Sequence, residues 1–183
     1  MPEVILDACG ALNLYASGRF VPILGSLGHE WYIPSAVERE SQHYRQPDPA
    51  DPARLIALPI DLVPAIRAGV LRRCDCEGDE ETELYVELAA RIDDGESMSL
   101  AIARCRGWSI LTDDKKARRI ATELGVPALD TTRVVWQWAQ VVKPGGDEVA
   151  TVLRAIERFA NFRPGRGAEH YEWWTASIDA VDR

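Results

Sequence analysis

The chain has 183 residues, of which 46% are apolar and 27% charged, a balance typical of a globular protein with a full hydrophobic core and not of a disordered one. Acidic residues outnumber basic ones by 29 to 21, and the net charge of -8 argues against a protein that binds phosphates over its whole surface. No apolar stretch approaches the roughly 18 residues of a membrane span and no signal-peptide pattern is present, so we expect a cytoplasmic protein with no membrane contact.

The first part of the chain predicts two strand-helix units. Residues 4–6 form a short apolar run rich in β-branched residues, and a helical pattern follows Asp7. Residues 31–33 repeat the arrangement and lead to Ser35, whose S-x-x-E spacing to Glu38 predicts a capping box at a helix start.

The middle of the chain is less regular. Residues 47–52 contain three prolines with two aspartates between them and predict a loop. Helices are predicted for residues 60–68 and 80–92. After Glu96, apolar residues recur with the i, i+3, i+4, i+7 spacing of a buried helix face.

The last part predicts strands at 108–111 and 126–129, each followed by a helix, and then two further helices around 149–160 and 171–178. Strands that alternate with helices imply an α/β fold, in which a mainly parallel central sheet is covered on both faces. We predict one domain over residues 1–143 and a C-terminal helical extension over 144–183 that packs on the same domain.

Acidic residues follow the predicted strands or open the helices after them. They are Asp7, Glu40, Glu96, Asp113 and Asp114. Because ligands of a parallel α/β sheet collect at the carboxyl ends of the strands, we expect these acids to meet at one edge. Carboxylates that lie close together repel one another unless a cation neutralises them, and oxygen ligands select hard ions such as Mg²⁺ or Mn²⁺.

Each acid taken singly has a simpler interpretation. Asp7 could be a helix N-cap, Glu38 serves the predicted capping box, and Asp113 or Asp114 could cap the following helix. Capping does not explain why so many acids occupy the same predicted edge. The four cysteines are interpreted as reduced, mostly buried thiols, since no histidine stands at a zinc-ligand spacing from any of them.

Four stretches of the chain, spanning about residues 3 to 140, resemble the PIN-domain family and, within it, the VapC-like toxins and related small prokaryotic PIN proteins. They are VILDACGALNLYASGRF, YIPSAVERE, DDGESMSLAIA and ILTDDKKARRIATELGVPAL. The resemblance implies a three-layer α/β/α fold and a metal-dependent ribonuclease that hydrolyses RNA with Mg²⁺ or Mn²⁺.

The resemblance also selects residues. It implies metal ligands and catalytic residues at Asp7, Glu40, Glu96 and Asp114. Asp113 is the substitute for Asp114 if the T-x-D register is shifted, and Thr112 is expected to orient the neighbouring carboxylate. Cys9 stands beside the first aspartate where many relatives carry Ser, Thr or Asn, and a thiol is a weaker hydrogen-bond group.

Basic residues follow the last acids and could hold RNA phosphates. They are Lys115, Lys116, Arg118 and Arg119. A solvated helix face explains them equally well. The family further implies a homodimer and, for the toxins, a small antitoxin whose C-terminal segment crosses the acidic groove.

Two other classes of function remain open at this point. The first is a binding module that keeps the fold without significant catalysis and binds RNA or protein. The second is a receiver-like or phosphatase-like domain that takes phosphate on Asp7, although phosphatases usually need a second aspartate at the position of Cys9.

Overall fold

The structure, a computed structural model, describes residues 1–40 and 43–181. Its strands are β1 (Glu3–Leu6), β2 (Glu30–Pro34), β3 (His43–Asp48), β4 (Asp51–Pro59), β5 (Arg72–Cys74), β6 (Ser109–Leu111) and β7 (Ala128–Leu129). Its α-helices are α1 (Ala8–Ala16), α2 (Phe20–Ser26), α3 (Ser35–Arg39), α4 (Val63–Arg67), α5 (Gly78–Ala89), α6 (Asp94–Arg106), α7 (Lys115–Leu124), α8 (Thr131–Val142), α9 (Gly146–Ala155) and α10 (Tyr171–Asp179). A π-helical turn, Ile156–Ala160, continues α9.

The described residues divide into two compact units. The first unit contains those of Met1–Ala11, Gly28–Ser41 and Leu62–Thr131. The second contains those of Leu12–Leu27, Gln42–Asp61 and Thr132–Arg183. The division predicted from the sequence, 1–143 and 144–183, stays a prediction, and residues 182 and 183 lie outside the described residues.

The first unit is built on a five-stranded parallel sheet with the order β5-β2-β1-β6-β7. Strand β1 is central, and Val4, Ile5 and Leu6 are all buried although successive side chains point to opposite faces. Such a strand reads as a continuous apolar run because both of its faces are covered. The predicted α/β class with a parallel sheet is confirmed.

One face of this sheet packs on α6. Ile5 and Ile110 on the sheet join Leu100 and Ile102 of the helix in a single cluster of buried apolar side chains, to which Ile120 of α7 also belongs. Helices α6 and α7 each end at a glycine, Gly107 and Gly125, in the left-handed conformation with φ near +70°. Glycine takes this conformation without strain, so both helices stop just before strands β6 and β7.

The second unit combines the end of α1, helix α2, the antiparallel hairpin β3-β4 and helices α8 to α10. Trp174 of α10 is fully buried and its Nε1 donates a hydrogen bond to Glu157, whereas the neighbouring Trp173 is half-buried. Val152 and Leu153 of α9 are also buried. The two C-terminal helices therefore supply core, as expected.

The capping box predicted at Ser35 is wrong. Helix α3 begins at Ser35 itself, with Pro34 before it, and no side chain caps its start. The Ser35 hydroxyl donates to Asp75 instead, and Glu38 accepts hydrogen bonds of 2.6 and 2.7 Å from the Arg73 guanidinium. These partners lie some 35 to 40 residues away in the chain, so local spacing could not reveal them.

The loop predicted for residues 47–52 is too long, because only residues 49 and 50 form a turn, while Pro47 lies in β3 and Pro52 in β4. Each strand of a two-stranded hairpin has an outer edge that needs no ladder hydrogen bonds, which is where proline is tolerated.

Helix α2 and strand β5 were not predicted. All four cysteines are free thiols, as expected, but only Cys74 is buried. No helix within residues 1–40 and 43–181 has both the length and the apolarity to cross a membrane.

Candidate active site

Asp7 is the most constrained acid of the chain. It follows β1 directly, is completely buried, and its backbone N–H donates to the Leu111 carbonyl of β6 at 3.1 Å. Its Oδ1 accepts a 2.7 Å hydrogen bond from the Gly10 amide. Burial raises the pKa of Asp7 to about 7, against the lowering effect of hydrogen bonds from Thr112, Gly10 and Cys9. A carboxylate in this position is costly to ionise without a cation.

Gly10 allows the helix to approach this carboxylate. A Cβ built on Gly10 would lie 2.8 Å from Leu111 Cγ, 2.9 Å from the Leu111 carbonyl oxygen and 3.2 Å from Asp7 Oδ1. No real side chain fits those distances. Because position 10 has no side chain, α1 can start against β6, and the Gly10 N–H can donate its hydrogen bond to the Asp7 carboxylate.

Glu96, in the first turn of α6, shares the electrostatic environment of Asp7. Burial, together with repulsion from Asp114 and Asp7, raises the pKa of Glu96 to about 7. Like charges raise each other's pKa only when they are close. Glu96 thus lies within electrostatic range of both Asp7, which follows β1, and Asp114, which precedes α7.

Asp114 caps helix α7. Its Oδ1 accepts hydrogen bonds from the amides of Lys116 and Ala117, at 2.7 and 2.8 Å. Among the described residues, Oδ2 of Asp114 accepts no hydrogen bond. The capping interpretation is therefore correct for this residue, and it leaves one oxygen for a ligand.

Asp113 points elsewhere, because its carboxylate accepts hydrogen bonds from both the amide and the hydroxyl of Thr131 at the start of α8. Thr112, fully buried between the sheet and the site, accepts a hydrogen bond from the Asp114 amide at 3.2 Å and also bonds the Asp7 side chain. Thr112 thus links the two acids that follow neighbouring strands.

Cys9 contacts the carboxylate of Asp7. Its Sγ lies 3.1 Å from both carboxylate oxygens of Asp7 and accepts a 3.1 Å hydrogen bond from the Asp113 amide. Burial raises the pKa of Cys9 far above its ordinary value, and the charge of Asp7 adds to this effect. The thiol therefore stays protonated and can donate to Asp7.

Glu40 lies at the start of α6 beside Glu96. Its Oε1 accepts a 2.8 Å hydrogen bond from the Gly95 amide, and a Cβ on Gly95 would collide with the Glu40 carboxylate and approach Val37 Cγ2 to 2.8 Å. Burial raises the pKa of Glu40, while the Gly95 hydrogen bond lowers it. The structure places Glu40 as a partner of this helix N-terminus, where its negative charge is favourable.

A comparison with family models gives a match over residues 3–166 to the family described as a PIN domain. The chain belongs to the PIN-domain family. Curated proteins, by contrast, include no significant match to the chain. PIN domains are generally nucleases and typically use divalent metals, and a parallel sheet with covering helices is the fold expected of one.

The donor set of this PIN domain fits a hard divalent ion. Within the described residues, no lysine or arginine forms an ion pair with Asp7, Glu96 or Asp114, so hydrogen bonds are the protein's own compensation for their charge. Over the same residues, no group of three or more His, Cys, Asp or Glu side chains is arranged to hold a metal. Mg²⁺ does not require a preformed cage, because it keeps several of its waters, and neighbouring carboxylates can bind these waters in place of the ion.

The predicted basic residues of the PIN domain fall into two pairs. Arg118 forms a 2.8 Å ion pair with Asp130, and Arg119 lies 3.5 Å from Glu123 one helical turn away. Lys115 and Lys116 are exposed and, in the part of the chain that the structure describes, form no ion pair. Only the two lysines are therefore available for phosphates without breaking a contact.

The sequence analysis missed Gly10 and Gly95. Both stand within three residues of a predicted acid, and each one's amide bonds a carboxylate that a larger side chain would displace. The signal was present as the spacing D-x-x-G after β1 and as the glycine directly before Glu96. The role of Thr131 could not be found, since it depends on the fold bringing residues 113 and 131 together.

Proposed function

We propose that this PIN-domain protein is a Mg²⁺- or Mn²⁺-dependent endoribonuclease whose metal is held by Asp7, Glu96 and Asp114, with Glu40 beside them. The observation that carries the proposal is the carboxylate of Asp7, which is completely buried, lies within electrostatic range of Glu96 and Asp113, and is not ion-paired among the described residues. A buried carboxylate without an ion-pair partner destabilises the folded protein, and such a group is retained when a bound cation or a reaction depends on it.

The surrounding residues support this role by holding the acids still. Hydrogen bonds from Gly10, Cys9 and Thr112 fix the Asp7 side chain in one orientation. A bound ion would supply an activated water and stabilise the charge that develops on the scissile phosphate. Because hydrogen bonds order the acids before RNA binds, the binding of RNA does not have to order them.

The experiment that tests the proposal is cleavage of a mixed, labelled RNA pool by the purified protein with Mn²⁺, with EDTA and with Glu96→Gln. We expect cleavage that needs the metal and that falls by roughly a hundredfold or more in the variant, since the substitution removes a charge from the ion's surroundings. Glu87→Gln is the matched control, because Glu87 is exposed on α5 away from these acids. Cleavage that persists in EDTA, or that Glu87→Gln lowers equally, would refute the proposal.

We further propose that Lys115 and Lys116 hold phosphates next to the cut. They occupy the first turn of α7, where a positive charge opposes the helix dipole and costs stability. The double change Lys115→Ala with Lys116→Ala is therefore expected to raise KM for RNA several-fold, to lower the salt slope of binding by about 1.4 and to raise the melting temperature slightly. Cleavage kinetics at several salt concentrations and a thermal melt measure all three.

The control for this pair is Arg45→Ala with Arg67→Ala, which removes the same charge from two exposed arginines without an ion pair among the described residues. If that control raises KM as much as the lysine pair does, the lysines only contribute to the overall field and have no specific role.

For its biological role we propose the toxin of a toxin-antitoxin pair, acting in the cytoplasm as a homodimer and inhibited by a small antitoxin. The family membership supports this proposal. Inhibition of cleavage by the product of a neighbouring short gene would support it directly, and normal growth of cells that express the active nuclease alone would count against it.

A second candidate is a PIN-fold module that binds RNA or protein without significant catalysis. One observation favours it: Glu40 and Asp114 both bond helix amides, and Asp113 bonds Thr131, so three acids have structural partners of their own. Well-folded protein that binds RNA but cleaves none with any divalent metal would decide for this candidate.

A further inference from the structure

We infer that residues 158–166 form a second contact surface for single-stranded RNA. This segment, here called the arginine loop, comprises the last three residues of the π-helical turn and the six residues that follow it. The inference rests on the proposed function, because it assumes RNA as the substrate. The loop belongs wholly to the second unit and contains Arg158, Arg163 and Arg166 but no acidic residue. In a chain with a net charge of -8, three arginines over nine residues make a local positive surface that stands apart from its surroundings.

The arginine side chains point to solvent. All three are exposed. Arg163 keeps 65% of its side chain exposed although its Nε lies 3.3 Å from Glu157, and Arg166 forms no ion pair within the described part of the chain. Arginine offers a planar fork of donors that matches a phosphate, so these side chains have the chemistry to bind a nucleic acid backbone.

The backbone of the arginine loop is held in place by side chains that are packed in the second unit. Phe162 packs edge-on against the fully buried Trp174, with ring centroids 5.9 Å apart, and Pro164 is buried. The one acid next to the loop, Glu157, is directed inward, where it accepts the hydrogen bond from Trp174 Nε1. The loop therefore holds its arginines outward on a fixed support, which lowers the entropy lost when a ligand binds.

An aromatic ring accompanies the charges. The Arg158 guanidinium lies 5.5 Å from the centre of the Phe159 ring, and Phe159 is half-buried. Single-stranded nucleic acids are recognised by surfaces of this kind, where arginines track phosphates and aromatic or guanidinium planes stack on exposed bases. A basic loop of this composition fits RNA better than an acidic peptide, which has no planar bases to stack.

The test is binding of a short labelled single-stranded RNA to the full-length protein in EDTA, so that cleavage does not interfere. The variant Arg158→Ala, Arg163→Ala, Arg166→Ala is expected to bind at least roughly tenfold more weakly at low salt and to lower the salt slope by about 2, since each lost phosphate contact removes about 0.7. The matched control is Arg45→Ala, Arg54→Ala, Arg67→Ala, which removes the same charge from exposed arginines.

Two results would overturn the inference: RNA affinity and salt slope that stay unchanged in the loop variant, or an equal loss in the control. The inference would also be overturned, in favour of an acidic protein partner, if a labelled polyglutamate peptide bound the wild type as tightly as RNA does and the loop variant no longer bound it. If the wild type cleaves RNA but the loop variant keeps its RNA affinity and salt slope, only this inference is refuted. If the wild type cleaves no RNA at all, the proposed function is refuted.

Discussion

Replacing Asp7 by asparagine is expected to lower RNA cleavage by about a thousandfold, because the loss of one metal-binding carboxylate costs roughly 4 kcal/mol of transition-state stabilisation. The same change is expected to make the metal-free protein more stable at pH 8. Burial raises the pKa of Asp7 to about 7, so at pH 8 the wild-type protein holds a buried charge that asparagine would not carry. Activity and stability should therefore change in opposite directions.

The sign of this change in the free energy of unfolding follows from the pKa of Asp7 in the unfolded and folded states. In the unfolded chain an aspartate titrates near pH 3.9, and in the folded protein Asp7 titrates near 7. Between these values the folded state binds more protons, so the free energy of unfolding falls as the pH rises from about 4 to about 7. Glu96, whose pKa is also raised to about 7, acts in the same direction. We expect Asp7→Asn to gain about 1–3 kcal/mol at pH 8 and little at pH 4.

Thermal melts at several pH values, with EDTA and with Mn²⁺, measure this prediction. Mn²⁺ should stabilise the wild type at pH 8, since it binds only the folded state, and should have little effect on Asp7→Asn. Asp179→Asn, an exposed aspartate of α10, is the matched control and should change neither pH dependence nor metal response. A variant that loses cleavage but is also less stable at pH 8 would show that Asp7 is a structural residue instead.

Replacing Gly10 by alanine is expected to destabilise the protein by about 2–4 kcal/mol, because overpacking of a rigid contact costs this much when neither side can move. The added Cβ would meet the Leu111 carbonyl at 2.9 Å, and that carbonyl is held in place by the Asp7 amide. The helix start must then shift away from β6, which withdraws the Gly10 amide from the Asp7 carboxylate. Chemical denaturation measures the loss of stability, and cleavage by the protein that remains folded measures the effect on the site.

Gly146→Ala is the matched control for this substitution. Gly146 also lies in an α-helix, but a Cβ there meets nothing within 4 Å. Alanine at that position is expected to be neutral or to stabilise slightly, since it restricts the unfolded chain without a clash. A Gly10→Ala protein as stable as this control would mean that α1 and β6 are not tightly packed.

The sequence was sufficient where chemistry and local pattern agree. The buried run of β1, the helix face after Glu96 and the strands before Asp7 and Asp114 are all found where the apolar periodicity predicts them. The meeting of Asp7, Glu96 and Asp114 follows from the same pattern, because parallel strands and helix starts converge at one edge of the sheet.

Sequence reasoning failed where a residue's partner is distant in the chain. Ser35 and Glu38 have the spacing of a capping box, yet residues some 35 to 40 positions later compete successfully for both side chains. The prolines of β3 and β4 indicate a loop by composition, but a hairpin with free outer edges accepts them.

The sheet order has a consequence for the protein's synthesis. Strand β1, made first, pairs with β6, which is made only after more than a hundred residues and directly precedes the loop that carries Asp114. A nascent chain shorter than 114 residues therefore lacks Asp114 and has no complete acid set. If the enzyme cuts RNA as proposed, the ribosome holds an inactive polypeptide for most of translation, and the messenger being read is protected from its own product until the chain is well advanced.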